Sequence, residues 1–180
     1  MNLVVKIISN SVSPSIRGIL NAIGLSGKRQ VLMSAGRELY RQTMQNFGVD
    51  SEYKDKKWPA LSPKYAKRVG HSNSTLTKSG ELKNSIRLST PVGDMIKIYT
   101  NNPYAAAQFF GSKKTNLPAR NAFPINNTTN PSNIRLTTNS DRDMFKVITH
   151  RLTQVSNNSL PINTAWKRMS VEYGNPFASN

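Results

Sequence analysis

Side chains able to carry metal or acid–base chemistry are few: two histidines, His71 and His150, and nine Asp+Glu, with no cysteine at all. Without thiolates there is no zinc finger, iron–sulfur cluster, disulfide or thiol nucleophile to consider. A metal site would rest on the histidines, yet neither has a second histidine or a carboxylate at ligand spacing. Asp143 and His150, seven residues apart, come nearest to sharing a helix face. Both histidines therefore read as solvent-facing or helix-end residues, and neither a metal nor another cofactor is expected. Ser51-Glu52-Tyr53-Lys54 fits the S-x-x-K pattern of acylating serine enzymes. Two fixed letters match by chance in a chain this rich in Ser and Lys, and the companion motifs are missing. No nucleophile elbow, phosphate loop or dinucleotide fingerprint is present. The carboxylates are scattered singly, without the acid–base pair that a glycosidase would need. A non-enzyme is expected.

What the sequence has in excess is positive charge: 25 Lys+Arg against 9 Asp+Glu give +16. The excess peaks in residues 51–90, nine basic against three acidic, through Lys54, Lys56, Lys57, Lys64, Lys67 and Arg68. A negative neighbour is implied, whether nucleic acid, an anionic membrane or an acidic protein surface. There is no run of five like charges and no RNA-binding aromatic motif, so sequence-specific reading of DNA is not expected; those six cations are candidates for long-range electrostatics. Apolar residues make up 37%, which points to a modest core completed by partner contacts. No apolar run approaches the roughly 18 residues of a membrane span, and Leu3–Ile8 is too short for a signal-peptide core. The chain reads as soluble, not exported and without a membrane partner.

The elements that must position these residues follow from periodicity. Leu3–Ile8 is β-branched and apolar, a strand. Ser13-Pro14 opens a short amphipathic helix through Ile16, Ile19, Leu20 and Ile23. A longer helix runs from Lys28 to Phe47, with Leu32, Ala35, Leu39, Tyr40, Met44 and Phe47 on one face and Gly48 as its stop. From Val49 to Ser79 the periodicity is lost, which reads as an ordered loop pinned by Trp58. Glu81–Thr90 and Met95–Thr100 flank Pro91-Val92-Gly93-Asp94 as the strands of a hairpin, with Ile86, Leu88, Ile96 and Ile98 alternating. Asn102-Pro103 opens a helical turn through Tyr104–Phe110 that Gly111 ends. Residues 112–136 lack periodicity and read as an extended arm or a mobile segment. Ser140 with Asp143 resembles a capping box before a last helix carrying Met144, Val147, Ile148, Leu152 and Val155. The expectation is an α+β fold: a small, mostly antiparallel sheet packed with helices, a long loop or arm, and a single domain over residues 1–155. Residues 156–180 form a tail, and Trp166, Tyr173 and Phe177 make it too apolar to be purely solvating, so it is expected to dock on a neighbour.

Four ordered phrases in the middle third are more specific. They are Lys57-Trp58-Pro59-Ala60-Leu61-Ser62-Pro63-Lys64-Tyr65, Leu76-Thr77-Lys78-Ser79-Gly80-Glu81-Leu82-Lys83-Asn84-Ser85-Ile86, Pro103-Tyr104-Ala105-Ala106-Ala107-Gln108-Phe109-Phe110-Gly111, and Leu117-Pro118-Ala119-Arg120-Asn121-Ala122-Phe123. In order and spacing they resemble the virion-morphogenesis or tail-completion proteins of tailed bacteriophages, the Mu G-like group. Asn121-Ala122 departs from that pattern, in which a proline commonly precedes the phenylalanine. The motif residues are Trp58, Pro59, Leu61, Thr77, Gly80, Leu82, Ile86, Tyr104, Ala105, Phe109, Gly111, Pro118, Arg120 and Phe123. Most read as core and turn positions: Trp58 under a loop, Gly80 at a tight strand entry, Tyr104 and Phe109 packing a helix on the sheet. Arg120 reads two ways, as an ion pair within the subunit or a contact to a neighbour's carboxylate.

The resemblance implies a structural virion protein at the head–tail interface, made in the host cytoplasm, that completes or terminates the tail and joins it to the head. It implies a ring, expected to be hexameric, that meets head-side connector or neck proteins and the tail tube protein, and the positive charge leaves non-specific contact with phage DNA open. Arg120, Phe123, Trp166, Tyr173 and Phe177 are the candidate interface residues. The rival reading is a basic, non-specific DNA-binding protein.

Overall fold

The computed structural model describes residues 3–8, 23–47, 51–70, 76, 79–126 and 135–155. Three strands, β1 (Leu3–Ile8), β2 (Ile86–Leu88) and β3 (Met95–Thr100), form one antiparallel sheet in the order β1-β3-β2. Leu3 pairs with Thr100 on one side of β3 and Ile86 with Thr100 on the other. Along β3 burial alternates strictly, with Ile96, Ile98 and Thr100 turned inward, so one sheet face is core.

That face is covered by α1 (Gly24–Gln45). The helix approaches closely because Gly36 lies over Ile96 and Leu88, where a Cβ would collide with both side chains. Its other flank packs against α5 (Thr138–Val155), through Val31, Ala35 and Leu39 facing Met144, Ile148 and Leu152 in one core cluster. The two helices run antiparallel: Gly27 sits against Val155 at one end, and Ser140 hydrogen-bonds Gln42 at the other. The α+β expectation holds. Among the described residues no helix is long and apolar enough to cross a membrane.

Several local readings are corrected. The stretch after Val49 is not all loop: Ser62 caps α2 (Pro63–Val69) by accepting the Tyr65 amide, proline takes the first helical position, and Gly70 ends the helix in the left-handed region. Periodicity missed it because a seven-residue helix with exposed cations shows no apolar stripe. The first half of the expected hairpin strand is the one-turn α3 (Glu81–Asn84), which leaves β2 only three residues. Gly80, at φ +71, therefore opens a helix and not a strand. Ser140 lies inside α5, buried on Gln42, because the helix starts at Thr138. The turn at Tyr104 is α4 (Ala105–Phe110), with Gly111 after it as expected. The expected helix at Ser13–Ile23 falls almost wholly outside the described residues, and the tail after 155 does so entirely.

The long loop exists: residues 113–116 form an exposed turn, and the stretch that follows enters the body. Arg120 through Ile125 are all buried, and Phe123 packs edge-on against Phe109 at 5.3 Å between centroids. This stretch lacks helical or strand periodicity because it enters the core as irregular backbone, where period carries no signal.

Candidate functional site

The four phrases meet at one end of the molecule and interlock. Trp58 donates its indole N–H to the Asn121 carbonyl at 3.1 Å, while Arg120 donates through Nε to the Pro59 carbonyl at 3.0 Å and through Nη2 to the Ala60 carbonyl at 3.1 Å. The first and fourth phrases thus clamp each other in both directions. Trp58 is further fixed edge-to-face on Phe47 at 6.2 Å, with the Lys54 ammonium 4.2 Å from its ring centre. At the end of α1, Asn46 donates to the Ala122 carbonyl at 3.0 Å.

The third phrase joins the fourth through its backbone. The Arg120 amide donates to the Gln108 carbonyl at 2.8 Å. Gly111 has φ +79 and ψ 173, and a Cβ there would stand 2.9 Å from the Leu117 carbonyl and 3.0 Å from the Ala119 nitrogen. This backbone region belongs to glycine, so that residue is dictated by geometry. The second phrase is tied in by Tyr104, whose hydroxyl donates to Glu81 at 2.6 Å.

Between the phrases lies a pocket of about 490 Å³, lined by Ala60, Leu61, Ser62, Tyr65, Leu76, Ser79, Leu82, Tyr104, Gln108, Asn116, Leu117, Pro118 and Arg120. Every phrase contributes to this wall. Arg120 is 5% exposed and meets no carboxylate among the described residues. Burial lowers the affinity of its guanidinium for the proton relative to a free arginine, although arginine stays charged at any physiological pH. Neither sequence reading of Arg120 describes its contacts within the subunit, where it is a loop clamp on main-chain carbonyls.

A second polar cluster ties α1, the 51–54 turn and α5. Arg41 donates to Glu38 and, at 2.9 Å, to the Tyr53 hydroxyl, which donates to Asp143 at 2.8 Å. Arg142 and Lys146 flank Asp143 at 3.2 and 3.5 Å. The Arg41 hydrogen bond holds the Glu38 carboxyl below its usual range. Burial alone would raise Asp143, but hydrogen bonds from Tyr53 and Arg142 prevail and lower it. Burial pushes the Tyr53 phenol up.

The structure brings Trp58, Pro59, Leu61, Gly80, Leu82, Tyr104, Gly111, Pro118 and Arg120 to this end of the molecule, with Ala105, Phe109, Phe123 and Ile86 in the core behind. Tyr104 is a correction: it is 43% exposed, a rim residue and not a core one. Phe123 is another, because at 1% exposure it is filled-in core and presents no surface to a neighbour. Lys56, Lys57, Lys64, Lys67 and Arg68 are exposed, Arg68 lying 4.9 Å over the Tyr65 ring, whereas Lys54 is committed to Trp58. His150 is exposed and touches Gln154, with no metal-ligand group of three among the described residues. His71, Thr77, Trp166, Tyr173 and Phe177 lie outside the described residues. Sequence reasoning missed Gln42, Asn46 and Asn121, all buried. For Gln42 and Asn46 the available signal was helical spacing, three and seven residues after Leu39 on the apolar face of α1.

Residues 10–154 match the phage virion morphogenesis family. The chain belongs to that family. It is accordingly a virion-associated protein with a part in building the phage particle, and the match spans all four phrases. The chain is also 30% identical over 99 residues, 52% of its length and 73% of the other, to an uncharacterized protein of Methanocaldococcus jannaschii. No solved structure matches it.

Proposed function

We propose that this protein is a structural subunit of the head–tail junction, completing or terminating the tail and joining it to the head as a closed, hexameric ring. It works by assembly and not by turnover. The observation that carries the reading is family membership over residues 10–154, together with the joining of the four tail-completion phrases into one surface. A 37% apolar composition supports a protomer that finishes its burial against neighbours. An averaged image of the virion neck tests it: six copies at the head-proximal end of the tail are expected, and a single asymmetric copy or a different location overturns it.

The charge of +16 favours a second reading, a non-specific DNA binder. Exposed Lys56 and Lys57 distinguish the two. Under the assembly reading, the double change Lys56→Glu and Lys57→Glu slows joining to an acidic partner, with an effect that shrinks at high salt. A steep salt-dependent affinity of the unaltered protein for duplex DNA supports the rival.

A further inference from the structure

The phrase-lined pocket carries a recognition chemistry of its own. Arg120 lines it, spends two of its five N–H donors on the Pro59 and Ala60 carbonyls, and leaves Nη1 without a bond among the described residues. A guanidinium that is 5% exposed, lines the pocket and has no carboxylate partner among the described residues is one that an entering anion would pair with. Two of the exposed large hydrophobic residues among those described, Tyr65 at 38% and Tyr104 at 43%, line the same pocket. Tyrosine and arginine are the side chains that binding hot spots favour. Leu61, Leu117 and Pro118 add an apolar lining, and α2 presents Lys64, Lys67 and Arg68 beside Tyr65.

The geometry points to a docking site for an acidic segment of a partner protein, whose carboxylate enters the pocket to meet Arg120 while its apolar neighbours pack on Tyr65 and Tyr104. The lining of the site favours protein over nucleic acid. A glutamate carboxylate pairs with Arg120 while aliphatic neighbours in its chain pack on Leu61, Leu117 and Pro118, and the phosphate backbone of a duplex has no apolar groups to offer that lining. The inference concerns the chemistry of a partner and stands whether or not the subunit sits at the neck.

The test is a titration of the tripeptide acetyl-Leu-Glu-Leu-amide into the isotope-labelled full chain, followed at the Arg120 Nε–H and at the Tyr104 and Gln108 amides. Saturable shifts at these signals are expected, with acetyl-Leu-Gln-Leu-amide at least about tenfold weaker. Tyr104→Ala removes an exposed ring outside the core, so it keeps the fold and weakens the Glu peptide by about threefold or more. Equal binding of the two peptides, shifts confined elsewhere, or no saturation up to about 10 mM overturns the proposal. A short DNA duplex that moves the same signals more strongly than the peptide overturns it in favour of phosphate. Movement on simple dilution, without peptide, assigns the pocket to a second copy of the chain and likewise overturns it.

Discussion

Where α1 meets α5, apolar stripes face each other and a chain of polar side chains, Glu38, Arg41, Tyr53 and Asp143, seals the edge. Where the 57–63 loop meets the 117–123 segment, the fastening is two side chains, Trp58 and Arg120, donating to main-chain carbonyls across about 60 residues of sequence. The first region tolerates any side chain of suitable size and polarity at the right period. The second requires a particular donor at a particular place. Residue identity is therefore negotiable in one and dictated in the other, which is why one region is read by periodicity and the other as motifs.

The comparison breaks most visibly at the residue that the clamp and the core share. Phe123→Ala is expected to destabilise the fold by about 3–5 kcal/mol, measured by denaturant unfolding, because a fully buried ring on Phe109 leaves a cavity. A cost below about 1 kcal/mol means that the loop can leave the body at little expense, as an arm would.

Gly111→Ala separates geometry from packing. The new methyl adds no polarity and removes no contact, yet is expected to cost about 1–3 kcal/mol through the glycine-only backbone and the Leu117 carbonyl. A neutral outcome in thermal melting argues that the junction of α4 with the fourth phrase is loose.

Arg120→Met tests the clamp alone. With Trp166→Phe as background, Trp58 becomes the sole tryptophan. Its emission is expected to shift red as the loop loosens, with about 1–3 kcal/mol lost. An unchanged spectrum shows that Phe47 and Lys54 hold Trp58 without help.

The helix pair yields to pH instead. Glu38 and Asp143 are held below ordinary carboxylate values in the folded state, so they contribute stability that is complete above roughly pH 4, the unfolded value, and lost as pH falls through the folded ones. Asp143→Asn is expected to flatten the acid limb of the melting curve by less than about 1 kcal/mol, since these groups are partly solvated. An acid limb identical in the variant assigns the acid sensitivity elsewhere.

These contrasts explain what was legible beforehand. α1, α5 and β3 announce themselves because one face of each is buried and the period shows it. The α2 helix does not, since its face is wet and cationic, and only its Ser62-Pro63 cap and Gly70 stop mark it. The motif residues are legible as a set, but their purpose is not. Nothing in the letters says that Arg120 bonds two carbonyls, or that Phe123 turns inward, because both depend on a backbone path without period. Tyr104 was misread for the opposite reason: an aromatic beside buried Ala105 looks like core, and only the direction of one turn places it at a rim.

The clamp also bears on the order of events as the chain folds. Its contacts join residues about 60 apart in sequence, so the loop-closure cost predicts that the recess between them is among the last features to form. A nascent or damaged subunit has the same sequence but no cavity to offer, and its binding competence is a late reading of its own completeness. Exchange of the Trp58 indole N–H through an opening that costs less than global unfolding is expected for a contact that closes late, and protection at the global level contradicts it. A particle assembled through such a recess would be choosing finished parts by shape, with no separate inspector.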